Sequence, residues 1–561
     1  MVTALFGDPR VSEFKQATAA LVAPGQHYEV VDDEVLGQRL PVFVNRPRSL
    51  RDILVDATEH GDRDAYVFDD GRRISFVEIE RQAAAVAAAL RDRHGIGPGD
   101  RIAICAANSP EWIQLFWAVA SLDAVLVAMN GWWTGGEMRN ALELAEPALL
   151  LMDEKRLARL DGDPGVPVLV IERDFASLLE DEDAVLPDTP IAEDDPFMLI
   201  FTSGTTGRPK AAVLSHRTVI GYLMLQGFIA ARGMHLAGRT PPPGPPTVRL
   251  TPFPLFHVSG LGTVVSTLLQ GGTTVWPLGR FDPEKAIELT MKENIGSWGG
   301  ATTHVMRLLE SPAIEQLDVR QIVQVGVGGS ATPPELVRRT EARFPHLVGT
   351  FSTGYGSTET GGLVSWAPNW MLREAVDCVG PALPTVEIRI TDDYGEVLPD
   401  GEEGNIEARS SIVMLGYWRN DEANRDTMRA DRWIRTGDFG RIEDELLFIA
   451  SRRRDLIIRG GENIYPFEIE NRIEEHPDVV EVAVLGVDHE VLGQEVSAVV
   501  VVRDGAGLTA DEVRSWCAEA LASYKIPTQV DLRTEPLPRN ATGKVMKHVL
   551  AGQSDNSFVE D

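Results

Sequence analysis

Residues 197–217 read FMLIFTSGTTGRPKAAVLSHR. An apolar β-like run enters a loop of small hydroxyl residues and glycines, and a second β-like run, AAVL, leaves it. The loop holds Thr202, Ser203, Gly204, Thr205, Thr206, Gly207 and Lys210. Glycines let main-chain amides approach phosphate oxygens, hydroxyls donate further hydrogen bonds, and a lysine neutralises charge. The chemistry this composition suits is a polyphosphate cradle. A Walker A loop is rejected, because it needs Gly-Lys followed by Ser or Thr and then a helix. Here Arg208, Pro209, Lys210 and Ala211 intervene and a strand follows. The bland alternative, a flexible Gly/Thr hairpin tip, would not suffer from the loss of Lys210.

Further segments carry polar groups worth weighing. GVGGSATP (326–333) contains Gly326, Gly328 and Ala331 in a GxGxxA spacing. No acidic residue follows about 20 positions on, so a dinucleotide site is the poorer reading. YGSTET (355–360) places Glu359 in a polar turn, and Thr436-Gly437-Asp438 places an aspartate in another. SRRRD (451–455) includes Arg452 and Arg454, and a solvated charge run is its ordinary reading. RGGENIYPFEIE (459–470) carries Gly460, Gly461 and Glu462, while PRNATGK (538–544) ends on Lys544. His257, in FPLFHVSG (253–260), reads on its own as a satisfied core histidine.

The elements that must position these groups are legible in the spacing. Ser75-Phe-Val-Glu78 is a capping box, followed by Phe76, Ile79, Val86 and Leu90 at helical spacing and a terminating Gly95. Short β-rich runs alternate with such helices: RIAIC (101–105), ALLLM (148–152), PVLVI (167–171), TTVWP (273–277) and QIVQVGV (321–327). That alternation predicts α/β layers with largely parallel sheets covered on both faces. GRTPPPGPPT (238–247) predicts an exposed loop, since proline lacks the amide donor a helix or central strand needs. Beyond about residue 380, turn chemistry such as Asp-Asp-Tyr-Gly (392–395) and Pro-Asp-Gly (399–401) predicts a β-rich unit up to about 450. The last hundred or so residues read as an α+β unit, with strands near 480–487 and 495–503 and a helix opened by Thr509-x-x-Glu512.

Composition sets the limits. The 561 residues correspond to about three or four domain-sized units. Hydrophobic residues make up 43% and mean hydropathy is −0.09, the balance of a globular chain. With 53 Lys plus Arg against 84 Asp plus Glu, the net charge is −31, which disfavours nucleic acid as a partner. Any anionic substrate then needs local donors. Cys105, Cys378 and Cys517 are too few and too scattered for a disulfide frame or CxxC metal spacing, which fits a reducing, cytoplasmic setting. The N-terminus lacks the basic and apolar regions of a secretory signal. The apolar stretch 112–129 is broken by Gln114, Ser121 and Asp123, so it predicts a buried helix running into a buried strand. No transmembrane span is expected, and at most peripheral membrane contact.

In this order, and over nearly the whole chain, these segments resemble the adenylate-forming (ANL) superfamily of acyl-CoA synthetases, peptide-synthetase adenylation domains and luciferases. The family's phosphate loop runs Ser/Thr, Ser/Gly, Gly, Ser/Thr, Thr, Gly, any residue, Pro, Lys, which residues 202–210 match. The resemblance implies an α/β fold: a large N-terminal domain over 1–452, built of two α/β sheet subdomains and a β-rich subdomain at about 380–450, and a small mobile α+β C-terminal domain over 453–561. It implies that Gly329, Ser330 and Ala331 line an adenine pocket and that Tyr355 stacks on the purine. Gly356, Ser357 and Thr358 would lie beside the nucleotide, and Glu359 would hold Mg2+. Asp438 and Arg452 would reach the ribose, and Lys544 would bridge the substrate carboxylate and the α-phosphate. Gly460, Gly461 and Glu462 would face a pantetheine arm, with His257 as a gate. Arg454 falls at the family's hinge, where aspartate or lysine is commoner, so the pivot's location carries over but not its side chain.

The activity so implied is that of an AMP-forming acyl-CoA ligase using ATP, Mg2+ and coenzyme A. Lys544, Glu359, Thr202 and Lys210 would be its catalytic groups. Glycines in 298–303, 325–328 and 357–364 suggest room for a bulky apolar acyl group, with no basic residue ready for a second acid group. A fatty or similar hydrophobic monocarboxylic acid is the expected substrate, with an aryl or polycyclic acid as the alternative. A stand-alone adenylation enzyme serving a carrier-protein thiol is a further alternative, and a luciferase shares the same motifs. A binding protein without turnover is disfavoured by the intact Lys210, Glu359, Asp438 and Lys544. A homodimer is compatible with all of these.

Overall fold

The computed structural model describes residues 5–160, 162–202, 210–240, 244, 246–327, 334–375, 377–452, 455–459, 462–539 and 545–552. Its first sheet has seven strands, in the order Gly416–Tyr417, Lys210–Ser215, Pro196–Thr202, Val125–Ala128, Arg101–Cys105, Leu149–Met152 and Val168–Val170. The five from Pro196–Thr202 onward are parallel. Strands buried on both faces should be continuous apolar runs, and Val125–Ala128 and Leu149–Met152 are buried at every position. Ile102 and Ile104 face one layer, with helices Phe76–His94 and Pro110–Ser121. Ala103 and Cys105 face the other, with helix Gly135–Ala145.

A second sheet of six strands runs Gln324–Val327, Ser297–Gly300, Arg249–Leu250, Thr274–Trp276, Asp64–Phe68 and Arg73–Ser75, parallel except for the last. A five-stranded antiparallel sheet follows: Cys378–Pro381, Leu446–Arg452, Trp433–Glu443, Gly404–Ser410 and Val386–Thr391. In the C-terminal part, Val479–His489 and Gly493–Val502 form a long antiparallel pair, backed by helices Pro466–Glu474 and Ala510–Ala518. The fold is therefore α/β, with a large N-terminal domain and a small C-terminal domain. Tyr465 of the C-terminal part donates its hydroxyl to Glu403 Oε2 of the large domain at 2.6 Å.

The capping signals act as their residues predict. Glu78 N donates to Ser75 Oγ at 3.2 Å and Ser75 N to Glu78 Oε2 at 2.9 Å, and Gly95 closes the helix in the left-handed conformation, φ +68°. Thr509 and Glu512 make the same reciprocal pair. The stretch 112–129 is indeed a helix end, then the strand Val125–Ala128, joined through Asp123 at φ +56°. Among the described residues no helix is long and apolar enough to cross a membrane. One expected strand is shorter than its apolar run: QIVQVGV becomes strand only from Gln324. Gln321 instead closes a 3-10 turn and spends its side-chain amide on Thr290 O and Ile295 O, at 2.6 and 3.0 Å.

The turn at 355–362 is locked against the large domain by close backbone contact. A Cβ on Gly361 would lie 2.2 Å from Ile412 O, at a φ of +79° that L-residues avoid. Gly361→Ala is expected to destabilise the large domain by about 2 kcal/mol or more, through clash and backbone strain together. A denaturant melt checks it, and an unchanged midpoint would contradict the close approach.

Candidate active site

The two ends of the glycine-rich loop are placed by an antiparallel pair in which Thr202 and Lys210 are direct partners. Residues 203–209, including Ser203, Gly204, Thr205, Thr206 and Gly207, lie outside the described residues. The strand Lys210–Ser215 after the loop excludes a Walker arrangement, which needs a helix there. On its far side this strand pairs with Gly416–Tyr417, so that Ala212 lies opposite Tyr417. Leu415 N and Trp418 N extend the pairing to Val213 O and Ala211 O, both at 2.8 Å.

Glu359 arrives from a turn built by its own hydroxyls. Ser357 N donates to Thr360 Oγ1 at 2.8 Å, and Thr360 N to Ser357 Oγ at 3.3 Å. Gly362 N to Ser357 O and Val364 N to Tyr355 O, both 2.8 Å, close the turn. Ser357 and Thr360 thus serve the turn itself, leaving Thr358 and Glu359 half-buried at its outer side. Glu359 Oε1 accepts the Tyr417 hydroxyl at 2.9 Å, and Glu359 O accepts Met414 N at 3.0 Å. Lys210 Nζ stands 5.2 Å from the centroid of the Tyr417 ring, within cation–π range. Burial, followed by the Glu359 charge, pushes the Tyr417 hydroxyl well above its ordinary pKa, so it stays a donor.

A second pair stands beside the first. Tyr355, at the end of strand Ser352–Tyr355, donates its hydroxyl to Asp438 Oδ2 at 2.8 Å. Asp438 sits on strand Trp433–Glu443 opposite Arg452, its amide held by Thr436 Oγ1 at 3.2 Å. Gly437, at φ +82°, has no atom within 4 Å of where a Cβ would be, leaving the backbone beside Asp438 open. The structure thus brings Thr202, Lys210 and Glu359 together, and Tyr355 with Asp438. Gly329, Ser330, Ala331, Arg454, Gly460, Gly461 and Lys544 lie outside the described residues, as do the side chains of Arg452 and Glu462. The chain on both sides of 540–544 is placed: Arg539 and Val545 form a β-bridge, and Met546 N donates to Pro538 O at 2.8 Å.

A single carboxylate suits Mg2+, which takes hard oxygen ligands, keeps several waters and needs only one or two protein groups. Glu359 meets this: Oε1 is committed to Tyr417, and among the described residues no hydrogen bond reaches Oε2. Tyr417 itself was invisible in the sequence. It lies 58 residues from Glu359, and a Gly-Tyr-Trp triplet carries no spacing that marks it.

His257 has a definite local task. It caps helix Val258–Gln270, with Nδ1 accepting Ser259 N at 3.2 Å. Burial lowers its pKa to about 4. A histidine neutral when folded stabilises fully above its unfolded value near 6.5, and that contribution fades as pH falls toward 4. His257→Asn keeps a capping acceptor. It is expected to leave the pH–rate profile between 6 and 8 without a lost inflection, while narrowing the gap between melting temperatures at pH 7 and pH 5.

The glycine-rich segments split into two kinds. Gly356, Gly361 and Gly362 are packed, with a Cβ falling 2.2–2.4 Å from Gly362 O, Ile412 O and the Tyr222 ring respectively. At these three positions the missing side chain serves close packing. Gly299 and Gly326 differ: they are register partners on adjacent parallel strands, and their nearest would-be neighbours are 3.6 and 3.9 Å away. Trp298 turns the other way, its indole donating to the buried Thr290 hydroxyl at 3.0 Å. Next to the 361 turn, a small apolar cavity is lined by Met198, Ile200, Tyr222, Val258 and Leu261, with no charged side chain.

Comparison with known proteins gives this geometry its class. The profile for AMP-binding enzyme matches residues 54–418, and that for AMP-binding enzyme C-terminal domain matches residues 468–544. The chain belongs to the AMP-binding enzyme family. It is 30% identical over 482 residues to a feruloyl-CoA synthase of Amycolatopsis sp, covering 85% of this chain and 93% of that one. It is 33% identical over 478 residues to the long-chain-fatty-acid–CoA ligase FadD13 of Mycobacterium tuberculosis, covering 82% and 89%. The crystal structure of ATP-bound MatB from Rhodopseudomonas palustris superposes with a TM-score of 0.78 at 30% identity, over 91% of this chain and 99% of that one. The protein is an AMP-forming acid–CoA ligase, an enzyme class that uses ATP, Mg2+ and coenzyme A.

Proposed function

We propose that the acid is a hydrophobic monocarboxylate, and that the residues assembled here carry its activation. The convergence of Thr202 and Lys210, at the two ends of the loop, on Glu359 carries the reading, since it sets a cation and a hard anionic ligand around one phosphate site. A carboxylate is a poor acyl donor because its leaving group would be oxide. Attack of a carboxylate oxygen on the α-phosphorus of ATP forms the acyl-phosphate bond and breaks the bond to pyrophosphate, which leaves. Such chemistry needs positioning and charge stabilisation more than a general base. Lys210 supplies positive charge, Thr202 a hydroxyl donor and Asp438 an acceptor for ribose hydroxyls. Glu359 would hold Mg2+, which supplies charge neutralisation at the phosphates. Lys544 would meet the acyl oxygen and the α-phosphate from the C-terminal domain. In the second half-reaction the thiolate of CoA attacks the acyl carbon, the acyl–AMP bond breaks and AMP leaves. Rotation of the part beyond about residue 453 would exchange Lys544 for the 460–466 loop between the two halves.

The long-chain-fatty-acid–CoA ligase among the relatives supports the hydrophobic reading; the apolar cavity beside the 361 turn has room for little more than a water molecule and is not the acyl site. A second reading, a planar aryl or polycyclic acid, is favoured by the flat strip of Gly299 and Gly326. Pyrophosphate release across aliphatic, aryl and polycyclic acids, with and without CoA and followed by mass spectrometry of the product, separates the two. Thioester formation only with a carrier protein would select a different acceptor. No pyrophosphate with any acid would overturn the assignment.

A further inference from the structure

We propose that Tyr417 is a positioning residue for adenylation, setting Glu359 and Lys210 apart at a fixed distance. It rests on the reading of Glu359 and Lys210 given above. The ordinary alternative is a packed tyrosine whose hydroxyl happens to be satisfied. Three features go beyond packing.

The first is the hydrogen bond at the phenol oxygen, which donates to Glu359 Oε1 at 2.9 Å. A phenol has a single donor, and here it is spent on the carboxylate that would hold Mg2+.

The second is the rigidity behind it. Tyr417 is 8% exposed. Its amide donates to Asn424 Oδ1 at 2.6 Å and its carbonyl accepts Asn424 Nδ2 at 2.9 Å. The same short segment grips Glu359 twice, through Met414 N at the main chain and Tyr417 at the carboxylate.

The third is the ring. Lys210 Nζ rests over it, 5.2 Å from the centroid, while the hydroxyl on the same ring holds Glu359. An ammonium and a carboxylate at one small site otherwise attract each other and form an ion pair. Tyr417 gives each its own seat, so that Glu359 Oε2 would be left to hold Mg2+ and Lys210 to meet phosphate.

Groups behind a metal-holding side chain typically change metal affinity or activity by about 10–100-fold when removed. Tyr417→Phe keeps the ring, its packing and the lysine seat, and removes only the hydroxyl. The test is calorimetric binding of ATP, without acid or CoA, at graded Mg2+ and in excess chelator. The expected result is an Mg2+ concentration for half-maximal enhancement raised by about tenfold or more, with ATP binding in chelator within about twofold of the unsubstituted protein. In the Glu359→Gln background the same substitution is expected to add no further change in Mg2+ requirement. Conversion of supplied acyl-adenylate to thioester should persist. An unchanged Mg2+ requirement would overturn the proposal. So would equal loss of both half-reactions with a lowered melting temperature, which marks a structural role. Because the readout is nucleotide binding, it stands even if the acid panel fails to reveal a substrate, and that failure would count against the activity rather than against Tyr417.

Discussion

Lys544→Ala is expected to lower acyl-adenylate formation by about 10²-fold or more, the scale of losing one preorganised donor from a transition state, while supplied acyl-adenylate is still converted to thioester. The reason lies in how the chain around the lysine is held. Arg539 and Val545 are bridge partners, so the two residues that flank 540–544 form a closed base. That base is tied down by two ion pairs: Arg539 Nη2 to Glu481 Oε2 at 3.0 Å, and Lys547 Nζ to Glu470 Oε1 at 2.7 Å. Glu470 belongs to helix Pro466–Glu474 and Glu481 to strand Val479–His489, so both flanks of the segment are fixed to the C-terminal domain. A compact ammonium carried in this way can be present for one half-reaction and absent from the other. Pyrophosphate exchange measures the first half, and thioester formation from synthetic acyl-adenylate the second. Equal loss of both would contradict alternation.

The sequence displayed those parts of this arrangement that depend on neighbours in the chain. Capping boxes at Ser75 and Thr509 are local pairs three residues apart, and the buried parallel strands are unbroken apolar runs; both follow from periodicity. The strand after the glycine-rich loop was legible for the same reason, and with the residues intervening between Gly207 and Ala211 it decided against a Walker motif. What escaped depends on distant partners. The Tyr355–Asp438 bond spans 83 positions and the Tyr417–Glu359 bond 58, and no residue-type pattern encodes either. The glycines misled because composition cannot distinguish a glycine that opens space from one that admits another backbone. Gly299 and Gly361 look alike in sequence, yet a Cβ on one would rest at an ordinary 3.6 Å from Leu250 O and on the other would collide with Ile412 O at 2.2 Å. His257 likewise looked like a gate or a core residue, and its cap on the following helix follows only from the backbone geometry.

Glu359→Gln is expected to reduce pyrophosphate release at low Mg2+ by about 10–100-fold, with partial recovery as Mg2+ is raised. The substitution is nearly isosteric. The amide oxygen can still accept the Tyr417 hydroxyl, and Met414 N still binds the backbone carbonyl, so the turn and its neighbours stay in place. What disappears is the negative charge on a hard ligand, which Mg2+ prefers over a neutral amide. Lys210 keeps its seat over the Tyr417 ring, so binding of ATP in chelator is expected to hold while the Mg2+ enhancement falls. These different responses separate loss of a cation ligand from general damage, which would weaken both. The outcome that would remove Glu359 from the cation site is a Mg2+ titration superimposable on that of the unsubstituted enzyme.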